Sequence, residues 1–202
     1  MAADLGRQYE RLIRINSQSG KGGVVYVLEK EFGIFPPKSM HPAIGAAVQH
    51  YVDTTGGEID SKKLQEIFYS SFVNCEGPYR IENYNRSSAG EDSGAYFDWY
   101  INDEKLQLSG RGNGLLSAVV RALKSSGKMP FFKVEDYAEH TLGTDADARA
   151  IAFVGLRVSE ESPNLVYGAG EHTNIDRAVI HALVCALNRA AALGRLGEPM
   201  MQ

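Results

Sequence analysis

The sequence predicts an α+β protein in which a small helical subdomain, residues 1–74, precedes a duplicated βββα domain, residues 75–202. Three observations lead to this prediction. Segments with helical periodicity fill the first third of the chain, short alternating segments begin at Cys75, and a glycine-rich helix start occurs twice. The two repeats together supply six strands and two long helices.

Two amphipathic segments define the helical subdomain. "HPAIGAAVQHYV" places Pro42 at a favourable first-turn position, and "EIDSKKLQEIFYSSF" repeats apolar residues at helical spacing after a cap at Asp60 or Ser61. A glycine turn, "DTTGGE", separates them. The earlier segment "VVYVLEKEF" is ambiguous, because its β-branched start favours a strand and "LEKE" favours a helix.

Each repeat contains three strands and a helix. The first has "YRIENYNRS", "AYFDWYIN" and "KLQLSG", with an Asn-Asp turn between the last two, and then the helix of "GRGNGLLSAVVRAL". The second has "PFFKVEDYAEHTL", "DARAIAFVGLRVS" and "NLVYGAG", and then a helix from about Thr173 to Leu193. We expect both helices to pack on one face of a six-stranded sheet.

That arrangement would leave the other face of the sheet uncovered. Aromatic side chains on the predicted strands would then be partly exposed in a monomer, namely Phe97, Trp99, Phe131 or Phe132. A second copy of the chain would cover them. We therefore expect a homodimer.

Composition excludes several function classes. The net charge of −4 is unfavourable for nucleic-acid binding, which needs a basic face. No apolar run approaches the roughly 20 residues that span a membrane, and the N-terminus lacks the apolar centre of a secretory signal, so we expect a cytoplasmic protein. The two cysteines, Cys75 and Cys185, form no C-x-x-C pair and predict neither a disulfide framework nor a zinc site.

Catalytic and metal-binding patterns are weak. "NSQSGKGG" is similar to a phosphate loop but lacks its spacing, because Lys21 is followed by Gly22 and no hydroxyl residue, so an ATPase is not expected. A flexible basic loop that contacts a substrate phosphate or a neighbouring domain stays open. No Ser or Cys stands in a nucleophile motif. Adjacent strand residues such as Glu139 and His140 point to opposite faces and cannot easily bind one ion. We expect no catalytic residue, no metal and no cofactor in this chain. The candidate metal ligands in this stretch are the acidic and histidine residues Glu135, Asp136, Glu139, His140, Asp145 and Asp147.

The repeated glycines suggest an anion site. Gly110, Gly112 and Gly114 surround a helix start, where free backbone N–H groups and the positive end of the helix dipole converge. Gly168 and Gly170 set up a similar arrangement in the second repeat. A phosphate or a carboxylate would suit either place. Alternatively, the glycines only make tight strand-to-helix turns.

Four segments carry a resemblance to a known family: "RINSQSGKGGVVYVLE", "SGRGNGLLSAVVRAL", "DYAEHTLGTDADARAIAFV" and "GAGEHTNIDRAVIHALVCALNRA". Together they resemble the C-terminal part of 2-isopropylmalate synthase, over nearly the whole chain. The family's catalytic barrel, with its H-x-H metal motif, is missing. We therefore expect a fragment without activity of its own, whose parent enzyme holds a divalent metal and acetyl-CoA in the barrel.

The resemblance implies a function for the duplicated domain. In the family it forms a dimer and binds leucine, which inhibits the condensation of acetyl-CoA with 2-oxoisovalerate in leucine biosynthesis. Its carboxylate would be the anion at the glycine-rich helix start. The resemblance also implies that "VVYVLEKEF" is helical. By matching positions, the effector pocket comprises Asn113, Gly114, Leu116, Ser117, Val134, Tyr137, Thr141, Ala148 and Ala150.

Two other functions remain open from the sequence. Citramalate synthase has a similar regulatory domain that answers to isoleucine, and a free-standing amino-acid-binding module would need no barrel. The sequence departs from the family pattern at Glu171 and His172, and Thr141 stands where a smaller residue is common. These positions bear on the identity of the effector.

Overall fold

A computed structural model describes residues 21–198 of the 202-residue chain. The chain divides into two compact units, Met1–Ser71 and Phe72–Gln202. The predicted boundary at 74/75 lies in the segment that joins the last helix of the first unit to the first strand of the second. The phosphate-loop-like stretch falls partly on residues 16–20, outside the described residues, and partly on the start of the first helix.

The first unit is helical, with α1 at Lys21–Phe32, a 3₁₀ turn at Lys38–Met40, α2 at His41–Thr55 and α3 at Ser61–Phe72. The helix implied for "VVYVLEKEF" is confirmed. Burial outweighs the strand propensity of its valines, because Val24, Val25 and Leu28 are all buried. The chain leaves α1 at Gly33, whose positive φ of 63° suits a helix end.

Caps define the other two helices. Pro42 lies in the first turn of α2, and Gly56 ends that helix in the left-handed region, with its N–H donating to the Val52 carbonyl. The Asp60 carboxylate accepts a hydrogen bond from the Lys63 N–H at 2.7 Å, so Asp60 is the cap of α3. Leu64 and Phe68 of α3 are fully buried.

The second unit repeats βββα, as predicted. The strands are β1 at Tyr79–Ala89, β2 at Asp92–Ile101, β3 at Glu104–Gly112, β4 at Lys133–Leu142, β5 at Arg149–Arg157 and β6 at Leu165–His172. The helices are α4 at Leu115–Ser125 and α5 at Ile175–Ala192. The predicted Asn-Asp turn is confirmed between β2 and β3, where Asn102 has a φ of 53°.

The expectation of one six-stranded sheet is wrong. The strands form two three-stranded antiparallel sheets, in the orders β1-β2-β3 and β4-β5-β6. Each repeat packs its helix on its own sheet, α4 against β2 and β3 and α5 against β5 and β6. The repeats are therefore joined through their helices and a shared core rather than through strand pairing.

The two repeats share a β-bulge and a strand register as well as the order of their elements. β1 has a bulge between Glu82 and Asn85, and β4 has one between Val134 and Asp136, within the similar segments "IENY" and "VEDY". In register, Gly110 is opposite Ala95 and Gly170 is opposite Ala152. The two sheets therefore present the same pattern to their helices.

Gly110 and Gly170 bring each helix onto its sheet. A Cβ atom at Gly110 would lie within 3.0 Å of the Ala118 carbonyl oxygen, and one at Gly170 would lie within 3.0 Å of the Ala178 carbonyl oxygen. Helix backbone occupies the space that a side chain would need. These two glycines are therefore packing residues and not ligand contacts.

One continuous core joins the two repeats. It contains Phe97 and Trp99 from β2, Val154 and Leu156 from β5, and the inner faces of both helices. The inner faces are lined by Leu115, Ala118, Val119, Ala122, Leu123, Ala178, Val179, Ala182, Leu183, Ala186 and Leu187. Such large buried aromatic side chains each contribute several kcal/mol, since truncation to alanine typically costs about 3–5 kcal/mol.

The aromatic side chains that the sequence analysis expected to be exposed in a monomer, and on which it based a dimer, are covered within one chain. Phe97, Trp99 and Phe132 are buried within a single chain, and Phe131 is half-buried. The reason is that β2 turns its aromatic face toward α4 instead of away from it. Among the described residues of the two repeats, the exposed large apolar side chains are instead Tyr96, Tyr137, Ile175 and Leu193.

Asn188 of α5 holds the chain where it enters β1. Its side-chain amide donates to the carbonyl oxygens of Cys75 and Tyr79, both at 3.0 Å, and its Oδ1 accepts from the Tyr79 N–H at 2.9 Å. Asn188 is 2% exposed, so these bonds satisfy a buried polar group. A Cβ at Gly77 would lie 2.6 Å from Asn188 Oδ1, which explains a glycine there.

Among residues 21–198, no helix is both long and apolar enough to cross a membrane.

We predict that Gly110→Ala and Gly170→Ala each lower the free energy of unfolding by about 1–3 kcal/mol, because the added methyl group forces helix and sheet apart. Gly57→Ala is the matched control, since Gly57 has an ordinary φ and open space around it. Urea denaturation followed by circular dichroism measures all three. Equal stability of Gly170→Ala and Gly57→Ala would contradict the packing role.

Candidate functional site

The nine predicted site residues fall into two groups. Asn113 and Gly114 precede α4, and Leu116 and Ser117 lie in its first turn. The second group lies on the other sheet, with Val134, Tyr137 and Thr141 on β4, Ala150 on β5, and Ala148 immediately before β5.

Strand register shows that the β4–β5 group shares one face. Val134, Tyr137 and Thr141 are paired with Leu156, Val154 and Ala150, respectively. These partners belong to the shared core or pack against it, so the group lies on the helix-facing side of its sheet. Without the bulge in β4, Val134 and Tyr137 would point to opposite faces.

The structure does not pack the two groups against each other within one chain. Among the described residues, α4 makes its main contacts with β2 and β3. It does not pack extensively on β4 or β5. Asn113 and Thr141 are exposed, and Tyr137 is 41% exposed. Both groups are therefore open to a ligand or to another chain.

Tyr137 lies in a negatively charged setting. Its hydroxyl donates to Glu139, which lies two residues along β4 on the same face. Partial burial raises the pKa of Tyr137, and the Glu139 carboxylate raises it further, with a smaller contribution from Asp176. The sequence suggested Glu139 only as a candidate metal ligand, although the Tyr-x-Glu spacing on a strand already places both side chains on one face.

The start of α4 is uncapped. Its N-cap is Gly114, in extended conformation, and neither a side-chain cap nor an acidic residue is present in the first turn. A Cβ at Gly114 would meet nothing within 4 Å. The only charged side chains nearby in sequence are those of Arg111 and Arg121, and Arg121 donates to the Arg111 carbonyl. This helix start therefore offers N–H groups and positive potential to an anion.

The start of α5 is already occupied by the protein's own groups. The Asn174 side chain accepts from the Arg177 N–H at 3.2 Å, and His172 Nδ1 accepts from the Asn174 N–H at 2.9 Å. Asp176 in the first turn pairs with Arg86 of β1 at 2.8 Å. An acidic side chain thus already compensates the helix dipole.

For the second glycine turn, the structure therefore favours the alternative of tight packing over an anion site. Gly168 and Gly170 lie within β6 against the backbone of α5 and do not surround an open helix start. Tyr84, the counterpart of Tyr137 in the first repeat, lies near the Arg86–Asp176 pair, and burial raises its pKa to about 12. The fold is duplicated, but the open helix start is not.

A cavity of about 390 Å³ lies elsewhere on the second unit. None of the nine predicted residues lines it. Its walls come from the segment before β1, from β1 and from α5, which no sequence motif connects. The lining residues are Asn74, Cys75, Glu76, Gly77, Tyr79, Arg80, Ile81, His181, Val184 and Asn188.

Within the described residues, no group of three or more His, Cys, Asp or Glu side chains is arranged to hold a metal ion.

Comparison with known proteins identifies the family that has this architecture. Residues 58–191 match the family described as "LeuA allosteric (dimerisation) domain". The chain belongs to the LeuA allosteric domain family. Residues 2–29 also match "Alpha-isopropylmalate synthase, post-catalytic domain-like", a match that falls largely outside the described residues.

The relatives of this LeuA allosteric domain chain are longer proteins named 2-isopropylmalate synthase. The one from Thermobifida fusca is 40% identical over 93% of the chain, and the match covers 32% of that relative. The one from Rhodospirillum rubrum is 37% identical over 92% of the chain and 33% of the relative. The chain spans about a third of the length of these curated relatives.

We predict that Asn174→Ala lowers the free energy of unfolding by about 1 kcal/mol, because it removes the side-chain cap of α5. The matched control is Asn113→Ala, at the uncapped start of α4, for which we expect a change within about 0.5 kcal/mol. Thermal and urea unfolding of both variants check this. A larger loss for Asn113→Ala than for Asn174→Ala would contradict the difference between the two helix starts.

Proposed function

We propose that this chain is the leucine-binding regulatory domain of a cytoplasmic 2-isopropylmalate synthase. Leucine bound here would inhibit condensation of acetyl-CoA with 2-oxoisovalerate in a catalytic barrel outside the chain, where the divalent metal and acetyl-CoA also bind. The chain itself carries no activity. The family match and the relatives' name support this proposal.

The observation that carries the proposal is the open start of α4. An effector carboxylate accepts hydrogen bonds from the free N–H groups after Gly114, where no side chain of the protein competes for them. The exposed Asn113 amide adds a polar contact. The capped start of α5 cannot serve in this way, so we propose one carboxylate site per chain.

The β4–β5 group supplies the rest of the pocket. Ala148 and Ala150 leave room for an isobutyl group, and Val134 and Tyr137 form its walls. Glu139, hydrogen-bonded to Tyr137, provides negative charge for the α-ammonium group. Thr141, paired with Ala150, narrows the apolar end and would help to discriminate among branched side chains.

We propose that a homodimer completes this site. The α4 start and the β4–β5 face are not packed on each other within one chain, so a second copy can bring one group to the other. The exposed Tyr137 and Ile175 would be covered in that contact. The family description includes dimerisation.

We predict that leucine binds more tightly than isoleucine or valine and raises the melting temperature, because a ligand of the folded state stabilises it by mass action. Isothermal titration calorimetry with the three amino acids measures this. Tightest binding of isoleucine would instead support a citramalate synthase-type domain. Equal responses to all three, or no response, would contradict an effector site of this kind.

We predict that Gly114→Asp weakens leucine binding about tenfold or more, because its carboxylate competes for the N–H groups and repels the ligand. Gly114→Ala is the control and should bind within a few-fold of wild type, since its methyl group meets open space. Unfolding experiments should show Gly114→Asp at least as stable as Gly114→Ala, because Asp is the better N-cap. Unchanged affinity in Gly114→Asp would place the carboxylate elsewhere.

We predict that the purified chain is a dimer of the 22.1 kDa protomer at micromolar concentration. Light scattering coupled to size exclusion gives the mass directly. Tyr137→Glu should shift the equilibrium toward monomer, because it places a charge on the contact face. A monomeric wild-type chain would refute the shared site.

A further inference from the structure

The first strand of the regulatory unit has a free edge, because β1 lies at the end of its sheet and pairs with β2 alone in that sheet. The Asn102 N–H donates to the Pro78 carbonyl at 2.7 Å, which makes these two residues a hydrogen-bonded pair of the antiparallel ladder. Such pairs occur at every second residue, so Arg80 bonds to β2 in the same way. The N–H and C=O groups of Tyr79 and Ile81 therefore point away from β2.

At Tyr79 this edge binds a side-chain amide of the protein. The Asn188 amide nitrogen donates to the Tyr79 carbonyl at 3.0 Å, and its Oδ1 accepts from the Tyr79 N–H at 2.9 Å. A primary carboxamide carries a donor and an acceptor side by side, so it fits the N–H and C=O that one residue presents at a strand edge. Asn188 thus takes the place of a residue on a neighbouring strand.

The corresponding backbone groups are open at Ile81, two residues further along β1. Among residues 21–198, no other group bonds to the Ile81 N–H or C=O. Ile81 is half-buried and lines the cavity of about 390 Å³. The α5 wall of this cavity consists of His181, Val184 and Asn188, which lie on one face of the helix by their spacing. The cavity therefore lies between α5 and the free edge of β1.

Three charged or polar side chains add to this cavity. Glu76 and Arg80 are exposed and have opposite charges, and Arg80 bonds to Glu82 through Nε at 2.8 Å, a bond that does not use its terminal nitrogens. His181 Nδ1 is buried and has no hydrogen-bond partner in the described part of the chain, so we assign the ring proton to Nε2. Burial lowers the pKa of His181, and the ring is neutral at pH 7.

We propose that this cavity binds a small amino acid with a primary carboxamide in its side chain, as in glutamine or asparagine. The ligand's carboxamide pairs with the N–H and C=O of Ile81, as the Asn188 amide pairs with Tyr79. Its methylene groups contact the side chain of Val184. The corresponding acid is rejected, because a carboxylate has no donor for the Ile81 carbonyl and places an oxygen against it.

The remaining groups of such a ligand match the charges at the cavity. Its α-ammonium group is a charge partner for Glu76, and its α-carboxylate is one for Arg80. None of the nine effector-site residues lines this cavity. The carboxamide site is therefore separate from the start of α4, and a ligand there would join β1 to the middle of α5.

Amide NMR of the isotope-labelled chain, titrated with glutamine, tests the proposal. We expect the largest shifts at Ile81 and its neighbours on β1 and at His181 and Val184 on α5. Glutamate is the matched control ligand and should bind at least about tenfold more weakly, because it lacks the amide donor. Equal binding of glutamate, no shifts at millimolar glutamine, or shifts confined to the effector-site residues would overturn the proposal.

Two substitutions at Val184 give a second test by calorimetry. Val184→Phe should abolish glutamine binding, because the ring fills the cavity, whereas Val184→Ala leaves the space open and should bind within about threefold of wild type. Circular dichroism checks their fold, and the shift map of the wild type decides the question if Val184→Phe does not fold. Unchanged glutamine affinity in a folded Val184→Phe chain would overturn the assignment.

Leucine separates this site from the effector site. Saturating leucine and the Gly114→Asp substitution should both leave glutamine affinity unchanged, and Val184→Phe should bind leucine as the wild type does. Failure of glutamine to bind therefore leaves the leucine result standing, and failure of leucine to bind leaves the carboxamide site standing. Displacement of glutamine by leucine would show that glutamine binds at the effector site and would overturn a separate site.

Discussion

The close approach of a helix backbone to a sheet, made possible at Gly110 and Gly170, is the constraint on which the rest of the regulatory unit depends. A side chain at either position would push the helix outward and open the shared core between the two repeats. Each helix packs on the sheet of its own repeat, and the strands form two separate sheets. The same contact buries Phe97 and Trp99.

Within this common frame the two helix starts have diverged. The first repeat has glycine at the N-cap position, and the second has Asn174 there, with the acidic Asp176 in the first turn of the helix. The uncapped start of α4 is locally less stable and leaves its backbone N–H groups available, whereas the corresponding N–H groups of α5 bond to the protein's own side chains. A duplicated fold can thus keep its packing glycines in both halves and leave only one half open to an anion.

The sequence predicted the element order well, because strand alternation, the Asn-Asp turn and the glycine-rich helix starts are local signals. It could not predict that the sheets stay apart, since strand alternation does not show which strand edges pair with each other. It also wrongly predicted that Phe97 and Trp99 are partly exposed in a monomer, because alternation identifies the apolar face of a strand but not which element covers that face. For Gly168 and Gly170 the sequence left an anion site and tight packing both open, because residue type alone does not distinguish a packing glycine from a ligand-binding one. The nine effector-site positions came from family resemblance, and the structure adds to them a shared face for β4 and β5 and the neighbouring Glu139.

Asn188 belongs to the last helix, yet it fixes the entrance to the first strand of the unit. Synthesis on the ribosome delivers β1 long before α5. The N-terminal repeat therefore leaves the exit tunnel without the amide that anchors its first strand, and its backbone groups at Cys75 and Tyr79 stay hydrated until the C-terminal helix emerges. Formation of this unit therefore waits for α5, and a chain truncated before α5 lacks the amide that anchors the entrance of its first sheet.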